Sequence, residues 1–173
     1  MIAADVISLY VALQNLGITT WVDGGWGVDA LLGKQTRPHK DLDIAIQQKD
    51  LPQLYTLLEA KGYKEIKLED AKPWNFVLGD EIGRQIDVYV ITLDGDGNGI
   101  YGPVESGQLY PASSLNGFGV IDGQTVRCIS AEWAVKFHSG YHLTDKDFAD
   151  VSALCAKFGI GPPEEYVQFK RSS

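Results

Sequence analysis

Two aspartates in one short alternating segment are the residues of this sequence best placed to do chemistry. Asp41 and Asp43 alternate with apolar residues in the segment 41–47, a pattern typical of a strand with one buried face. Because side chains alternate faces along a strand, the two carboxylates lie on the same face, about 7 Å apart. Carboxylate oxygens in such a pair suit Mg²⁺, which takes the rest of its shell from water and phosphate. The pair therefore predicts a magnesium site.

A third aspartate, Asp87, lies in a second predicted strand over 84–91. Its neighbours Ile86 and Val88 belong to a buried row, which leaves Asp87 on the opposite face. If the two strands are neighbours, Asp87 joins the first two carboxylates in one acidic cluster. Such a cluster around a metal ion suits phosphoryl transfer, because the metal neutralises a triphosphate while one carboxylate accepts the proton of an attacking hydroxyl.

Two glycines and two basic residues precede the acidic strand and complete the pattern. Gly24 and Gly25 come just before a short predicted helix over 26–32, where bare backbone lets N–H groups approach phosphate oxygens. Arg37 and Lys40 are placed to contact an outgoing pyrophosphate. Each feature alone is explained by an ordinary turn or by solvated surface charge. Their conjunction in this order predicts a site for a nucleoside triphosphate.

The elements that must position these residues indicate a single α/β (α+β) domain over residues 1–173. We expect a mixed sheet flanked by helices, with a small helical part at the C-terminal end. Two predicted helices cover 4–16 and 26–32. A third is capped by Asp50 and ends at Gly62, and two more are capped by Ser130 and Thr144. The predicted strands cover 18–22, 41–47, 63–68, 75–78, 84–91, 119–121 and 125–129, with a long loop over 93–111.

Composition excludes some classes of partner. A net charge of −8 argues against a long nucleic-acid footprint, which needs clustered Lys and Arg. No apolar run is long enough to cross a bilayer, so we expect no membrane partner. The sequence lacks the features of a signal peptide and contains only two isolated cysteines, Cys128 and Cys155, which indicates the reducing cytoplasm. The expected partners are a nucleoside triphosphate and a small-molecule acceptor.

These motifs resemble those of the nucleotidyltransferase superfamily that includes DNA polymerase β. The segments 21–31, 36–43 and 137–144 are more narrowly similar to the antibiotic nucleotidyltransferases that modify lincosamides, with aminoglycoside-modifying relatives further off. The resemblance implies a polymerase β-like fold and Mg²⁺-dependent adenylylation of a lincosamide hydroxyl from ATP, with release of pyrophosphate. It implies Asp41 and Asp43 as metal ligands and Asp87 as general base or third metal ligand, and it allows a homodimer. One departure is Tyr89, where lincosamide enzymes often carry His.

Three alternatives stay open at this point. The acceptor could be an aminoglycoside or another small molecule. The chain could instead be a nucleotide-sensing module without catalysis. The segment 94–105 also matches a calcium-binding loop, with Asp94, Asp96, Asn98 and Glu105 at ligand positions, although this motif requires a helix on each side.

Overall fold

A computed structural model describes residues 1–172, so Ser173, the last residue of the predicted domain, lies outside the described residues. They form six α-helices and one sheet of nine strands. The helices are α1 Ala3–Asn15, α2 Gly24–Leu32, α3 Leu51–Ala60, α4 Ala131–Phe137, α5 Asp145–Phe158 and α6 Glu164–Ser172. The strands are β1 Thr20–Val22, β2 Asp41–Gln47, β3 Lys64–Ile66, β4 Asn75–Gly79, β5 Gln85–Leu93, β6 Gly99–Tyr101, β7 Leu109–Tyr110, β8 Gly117–Ile121 and β9 Gln124–Cys128.

The sheet is mixed, as the sequence predicts. Its order is β3-β4-β5-β2-β1-β9-β8, and β6 and β7 extend it beside the end of β5. Strands β2 and β5 are parallel neighbours at its centre, whereas β1 runs antiparallel to β2 and β4 antiparallel to β5. The two strands that carry the three aspartates therefore pair directly.

The core fixes which face of the central strands is left for chemistry. Leu42, Ile44, Ile86 and Val88 are at most 1% exposed and form adjacent buried rows on β2 and β5. Burying one such side chain contributes roughly 1.5–3 kcal/mol. Because a shift of one residue would move these rows into water, the hydrophobic pattern fixes the face on which the intervening aspartates lie.

Two glycine-containing turns differ in how well the sequence predicts them. The predicted hairpin at Asp122 and Gly123 is confirmed, since both residues have positive φ, 45° and 83°, and they join β8 to β9. In contrast, helix α2 begins at Gly24 and not at residue 26, with Asp23 as its N-cap. The predicted Gly24-Gly25 turn is thus the first turn of the helix.

The predicted long loop over 93–111 is wrong. It contains β6 and β7, which are three and two residues long and too short to show an alternating pattern. In the segment of the calcium alternative, Asp94 and Asn98 form a tight turn between the antiparallel strands β5 and β6, so a strand and not a helix precedes it. A loop between two helices is therefore absent here.

The C-terminal helical part consists of α5 and α6, and the sequence predicts only α5. The Thr144 hydroxyl and backbone N–H both donate to Asp147, which begins α5 with a capping box. Helix α6 has few apolar residues, and its anchor is the buried Tyr166, which donates to the His138 carbonyl oxygen. Among residues 1–172, no helix is both long and apolar enough for a membrane span.

Candidate active site

The structure brings the three predicted aspartates together. In the parallel pairing of β2 with β5, Asp43 lies directly beside Asp87, and Asp41 lies two residues earlier on the same face. Side chains at paired positions of neighbouring strands share a face, so the three carboxylates form a local acidic surface. Within residues 1–172, no three Asp, Glu, His or Cys side chains converge closely enough to form a complete metal site. The three carboxylates are neighbours, but they do not surround a common point at which a metal ion could bind.

Burial and mutual repulsion disfavour the charged forms of these carboxylates. Burial raises the pKa of Asp43 to about 8, and the carboxylates of Asp23, Asp87 and Asp41 add to the effect. Burial and the Asp41 carboxylate raise the pKa of Asp87 to about 6. A divalent cation would offset this repulsion, and the donors are the hard oxygens that Mg²⁺ prefers. The donor set and the charge imbalance therefore fit a divalent metal completed by phosphate and water.

A fourth carboxylate, Asp23, also reaches this surface, although no role was predicted for it. Its backbone N–H donates to the Asp43 carbonyl oxygen over 2.9 Å. Its Oδ1 accepts from the Gly24 N–H at 2.8 Å, and its Oδ2 accepts from the Tyr110 hydroxyl at 3.3 Å. Burial raises the pKa of Asp23. The available signal was its place immediately before two glycines that begin a helix.

Neighbouring side chains lie so close to Gly24 and Gly25 that only glycine fits at these positions. Gly24 has φ of +54°, and a Cβ there would lie 2.1 Å from Oδ2 of Asp43. A Cβ on Gly25 would lie 2.4 Å from Nδ1 of His39 and 2.9 Å from Nη2 of Arg37. The first turn of α2 thus lies against both the acidic surface and the Arg37 side chain. Any larger residue would push them apart.

The two predicted basic residues differ in their surroundings. Arg37 lies next to Gly25 and pairs with Asp150 on α5, with 2.7 Å between Nη2 and Oδ2. Lys40 is exposed at the start of β2, and it takes part in none of the salt bridges formed among residues 1–172. Arg37 is therefore held beside the helix terminus, and Lys40 extends from the surface.

A cleft of about 790 Å³ opens beside Asp43 and Asp23. Much of its wall is a chain of aromatic rings with centroids 5.1–6.0 Å apart, formed by Tyr89, Tyr101, Tyr110, Phe137 and Trp133. Tyr101 and Tyr110 lie on β6 and β7, which are not among the strands predicted from the sequence.

 The hydroxyl of Tyr89 donates to Oδ1 of Asp43 at 3.4 Å, so this wall begins at the acidic surface itself.

His138 also lines this cleft. Its Nδ1 is 2.7 Å from the carbonyl oxygen of Ala134, which fixes the ring by a hydrogen bond to the preceding helical turn. This contact makes Nδ1 the protonated nitrogen of the neutral ring, because a carbonyl oxygen only accepts. In this tautomer the other ring nitrogen, Nε2, is an acceptor.

The sequence matches the profile of the aminoglycoside-2''-adenylyltransferase family over residues 5–154. The chain belongs to this family. It is 34% identical over 142 residues to a lincosamide resistance protein of Staphylococcus haemolyticus, which covers 82% of this chain and 86% of that protein. It is 29% identical over 76 residues to a 2''-aminoglycoside nucleotidyltransferase of Escherichia coli, which covers 43% of this chain and 41% of that protein.

Solved structures agree with the family assignment. The lincomycin-bound lincosamide antibiotic adenylyltransferase LnuA superposes with a TM-score of 0.78 at 30% identity, covering 91% of this chain and 97% of that one. ANT(2'')-Ia in complex with adenylyl-2''-tobramycin superposes with a TM-score of 0.70 over 98% of this chain and 94% of that one. Its identity of 19% supports the fold alone. The predicted fold class, the resemblance and the enzyme class, nucleotidyltransferase, are thereby confirmed.

Proposed function

We propose that this enzyme transfers AMP from ATP to a hydroxyl of a lincosamide and releases pyrophosphate. The observation that carries the proposal is the pairing of Asp43 with Asp87 at the edge of an aromatic cleft, with the glycine turn of α2 against Asp43. The acceptor class is supported by the lincosamide relative, whose similarity extends over most of both chains.

In the proposed reaction, the acceptor oxygen attacks the α-phosphorus and a new P–O bond forms. The bond from that phosphorus to the leaving pyrophosphate breaks. Asp87 accepts the hydroxyl proton, and its pKa of about 6 leaves it ionised at neutral pH yet basic enough to assist. A general base must lie within hydrogen-bond reach of the proton, so the reacting hydroxyl approaches β5 from the cleft side.

Asp41 and Asp43 would hold Mg²⁺ together with phosphate oxygens and water, whereas Asp87 is assigned as the base and not as a third ligand. When bound, the metal neutralises the triphosphate and makes the α-phosphorus more electrophilic. The half-buried Asp43 would bind a metal only in its ionised form, so metal binding and proton release are linked at this residue.

The phosphates are assigned to the first turn of α2 and to the basic residues beside it. Gly24 and Gly25 let phosphate oxygens approach the helix N-terminus, where the helix dipole favours negative charge. Arg37 lies against Gly25 and can form directed hydrogen bonds to a phosphate, whereas the exposed Lys40 would contribute as a mobile point charge.

The acceptor is assigned to the aromatic cleft. The rings of Tyr101, Tyr110 and Trp133 offer apolar faces to the carbon skeleton of a sugar-containing antibiotic. Asp23 and His138 offer polar groups that can orient its hydroxyls. A second candidate, transfer to an aminoglycoside, is favoured by the family profile and by the acidic character of the cleft.

We further propose that the chain acts as one catalytic domain over 1–173 in the cytoplasm, where ATP is available. A homodimer remains a prediction from the family resemblance. Neither proposal affects the chemistry assigned to the three aspartates.

Product masses test the proposed function. The enzyme is incubated with Mg²⁺, each of the four nucleoside triphosphates, and a panel of lincosamides and aminoglycosides. We expect one AMP to be added to lincosamides when ATP is the donor. Modification of aminoglycosides alone would replace the first candidate by the second, and an unmodified panel would refute both.

A further inference from the structure

A line of polar side chains runs behind the first turn of α2. Asp150 on α5 is 2.7 Å from Nη2 of Arg37, and Nη1 of Arg37 is 3.0 Å from Nδ1 of His39. Nε2 of His39 is 2.5 Å from Oδ2 of Asp29. Thr36 donates its backbone N–H and its hydroxyl to the other oxygen of Asp29. The line connects α5 to α2 through Arg37.

Because Asp150 is buried, it requires its ion pair with Arg37. The side chain of Asp150 is only 5% exposed, and that of Arg37 is 30% exposed. A buried carboxylate is unfavourable unless a cation and hydrogen bonds compensate it. Among residues 1–172, Arg37 is the salt-bridge partner of Asp150. Each residue therefore restricts where the other can lie.

The guanidinium held in this way faces the nucleotide side of the site. Nη2 would lie 2.9 Å from a Cβ on Gly25, so the group is in contact range of the helix terminus. The two described contacts of the guanidinium use one N–H at each terminal nitrogen. Arginine has five N–H donors, so each terminal nitrogen keeps a second one for another acceptor.

We propose that Asp150 is a positioning residue for nucleotide binding, which holds Arg37 so that its remaining N–H groups meet the triphosphate. The inference rests on the proposed function, since it requires a triphosphate at the first turn of α2. A planar guanidinium that is fixed at one edge presents its other N–H donors in a defined direction. A flexible side chain would lose conformational freedom on binding to present them in the same way.

A purely electrostatic role for Asp150 predicts the opposite sign. A carboxylate near a polyanion repels it, so neutralising Asp150 would then tighten nucleotide binding. Loss of positioning weakens binding instead. The direction of the change therefore distinguishes the two roles.

The experiment measures binding of Mg²⁺ with a non-hydrolysable ATP analogue by calorimetry, in the native enzyme and in Asp150→Asn. We expect roughly tenfold weaker nucleotide binding in the variant, with KM for the acceptor unchanged. Asp150→Glu keeps the charge and should recover part of the affinity. If Arg37→Met is already present, adding Asp150→Asn should have no further effect on nucleotide binding.

Lys157→Met is the matched control, because Lys157 also ties α5 to α2 by donating to the carbonyl oxygens of Leu31 and Leu32. It should lower Tm without changing nucleotide affinity. Equal or tighter nucleotide binding by Asp150→Asn would overturn the positioning role, as would additive effects of the Arg37 and Asp150 substitutions. If Asp150→Asn does not fold, Arg37→Met decides instead, and nucleotide binding by that variant as tight as in the native enzyme would overturn the positioning role. Failure of the native enzyme to bind the analogue would instead refute the proposed function, and this inference with it.

Discussion

The metal-free enzyme should lose stability as pH rises, and Asp43 should be the main cause. Its pKa in the folded protein is raised from 3.8 to about 8, so folding favours the protonated carboxyl. The stability that this group contributes is fully present below about pH 4 and is lost as pH rises through about 8. Asp87 acts in the same direction, with a folded pKa of about 6.

The expected magnitude follows from the same pKa values. The rise of the Asp43 pKa from 3.8 to about 8 corresponds to at most about 6 kcal/mol, because one pKa unit is worth about 1.36 kcal/mol. Asp43 is only half-buried, and solvent screens its charge, so we expect about 2 kcal/mol between about pH 5 and about pH 8. Asp43→Asn removes the titrating group and should make the free energy of unfolding less dependent on pH by that amount.

Urea unfolding in the presence of a metal chelator measures this difference. Asp122→Asn is the matched control, since Asp122 is an exposed turn residue and its replacement should leave the pH dependence unchanged. Adding Mg²⁺ at about pH 8 should restore more stability to the native enzyme than to Asp43→Asn. If the native enzyme and Asp43→Asn show the same pH dependence, the reasoning about the buried carboxylate is refuted.

Three further predictions test the roles of individual residues. Asp87→Asn should keep Mg²⁺-nucleotide binding within about threefold of native but slow transfer by roughly a hundredfold or more. A loss of Mg²⁺-nucleotide binding equal to that of Asp41→Asn would make Asp87 a metal ligand instead of the base. Gly24→Ala should slow transfer by roughly a hundredfold, because its Cβ would displace Asp43. Gly33→Ala is the control, since Gly33 has φ of +72° with open space around it, and this variant should only lower Tm. Similar transfer rates in the two variants would show that contact with Asp43 is not the reason for glycine at position 24. Calorimetry should detect no submicromolar calcium binding by the segment 94–105, and such binding would revive the calcium alternative.

The acidic strands were predictable because their signal is local. Alternation with period two assigns Asp41, Asp43 and Asp87 to the faces they occupy, whatever the rest of the chain does. The sequence pattern does not establish that β2 and β5 are neighbours, and the structure shows that they pair.

The acceptor cleft was harder to predict because its parts lack a local signal. Tyr101 and Tyr110 lie on the short strands β6 and β7, which pair with each other, and β6 also pairs with β5. The contact between Arg37 and Asp150 joins residues 113 positions apart, and no spacing rule relates them. Such long-range contacts depend on the packing of α5 against α2, which the sequence pattern does not specify.

Pyrophosphate release tests the central claim most directly. The native enzyme is mixed with ATP, Mg²⁺ and lincomycin, and the rate is compared with those of Asp41→Asn and Asp43→Asn and with reactions lacking metal or acceptor. We expect release that requires both metal and acceptor and falls by roughly a hundredfold or more in each variant while the fold is retained. Near-native release by either variant, or release that is independent of metal, would contradict the assignment of these aspartates as the metal-binding centre of a nucleotidyltransferase.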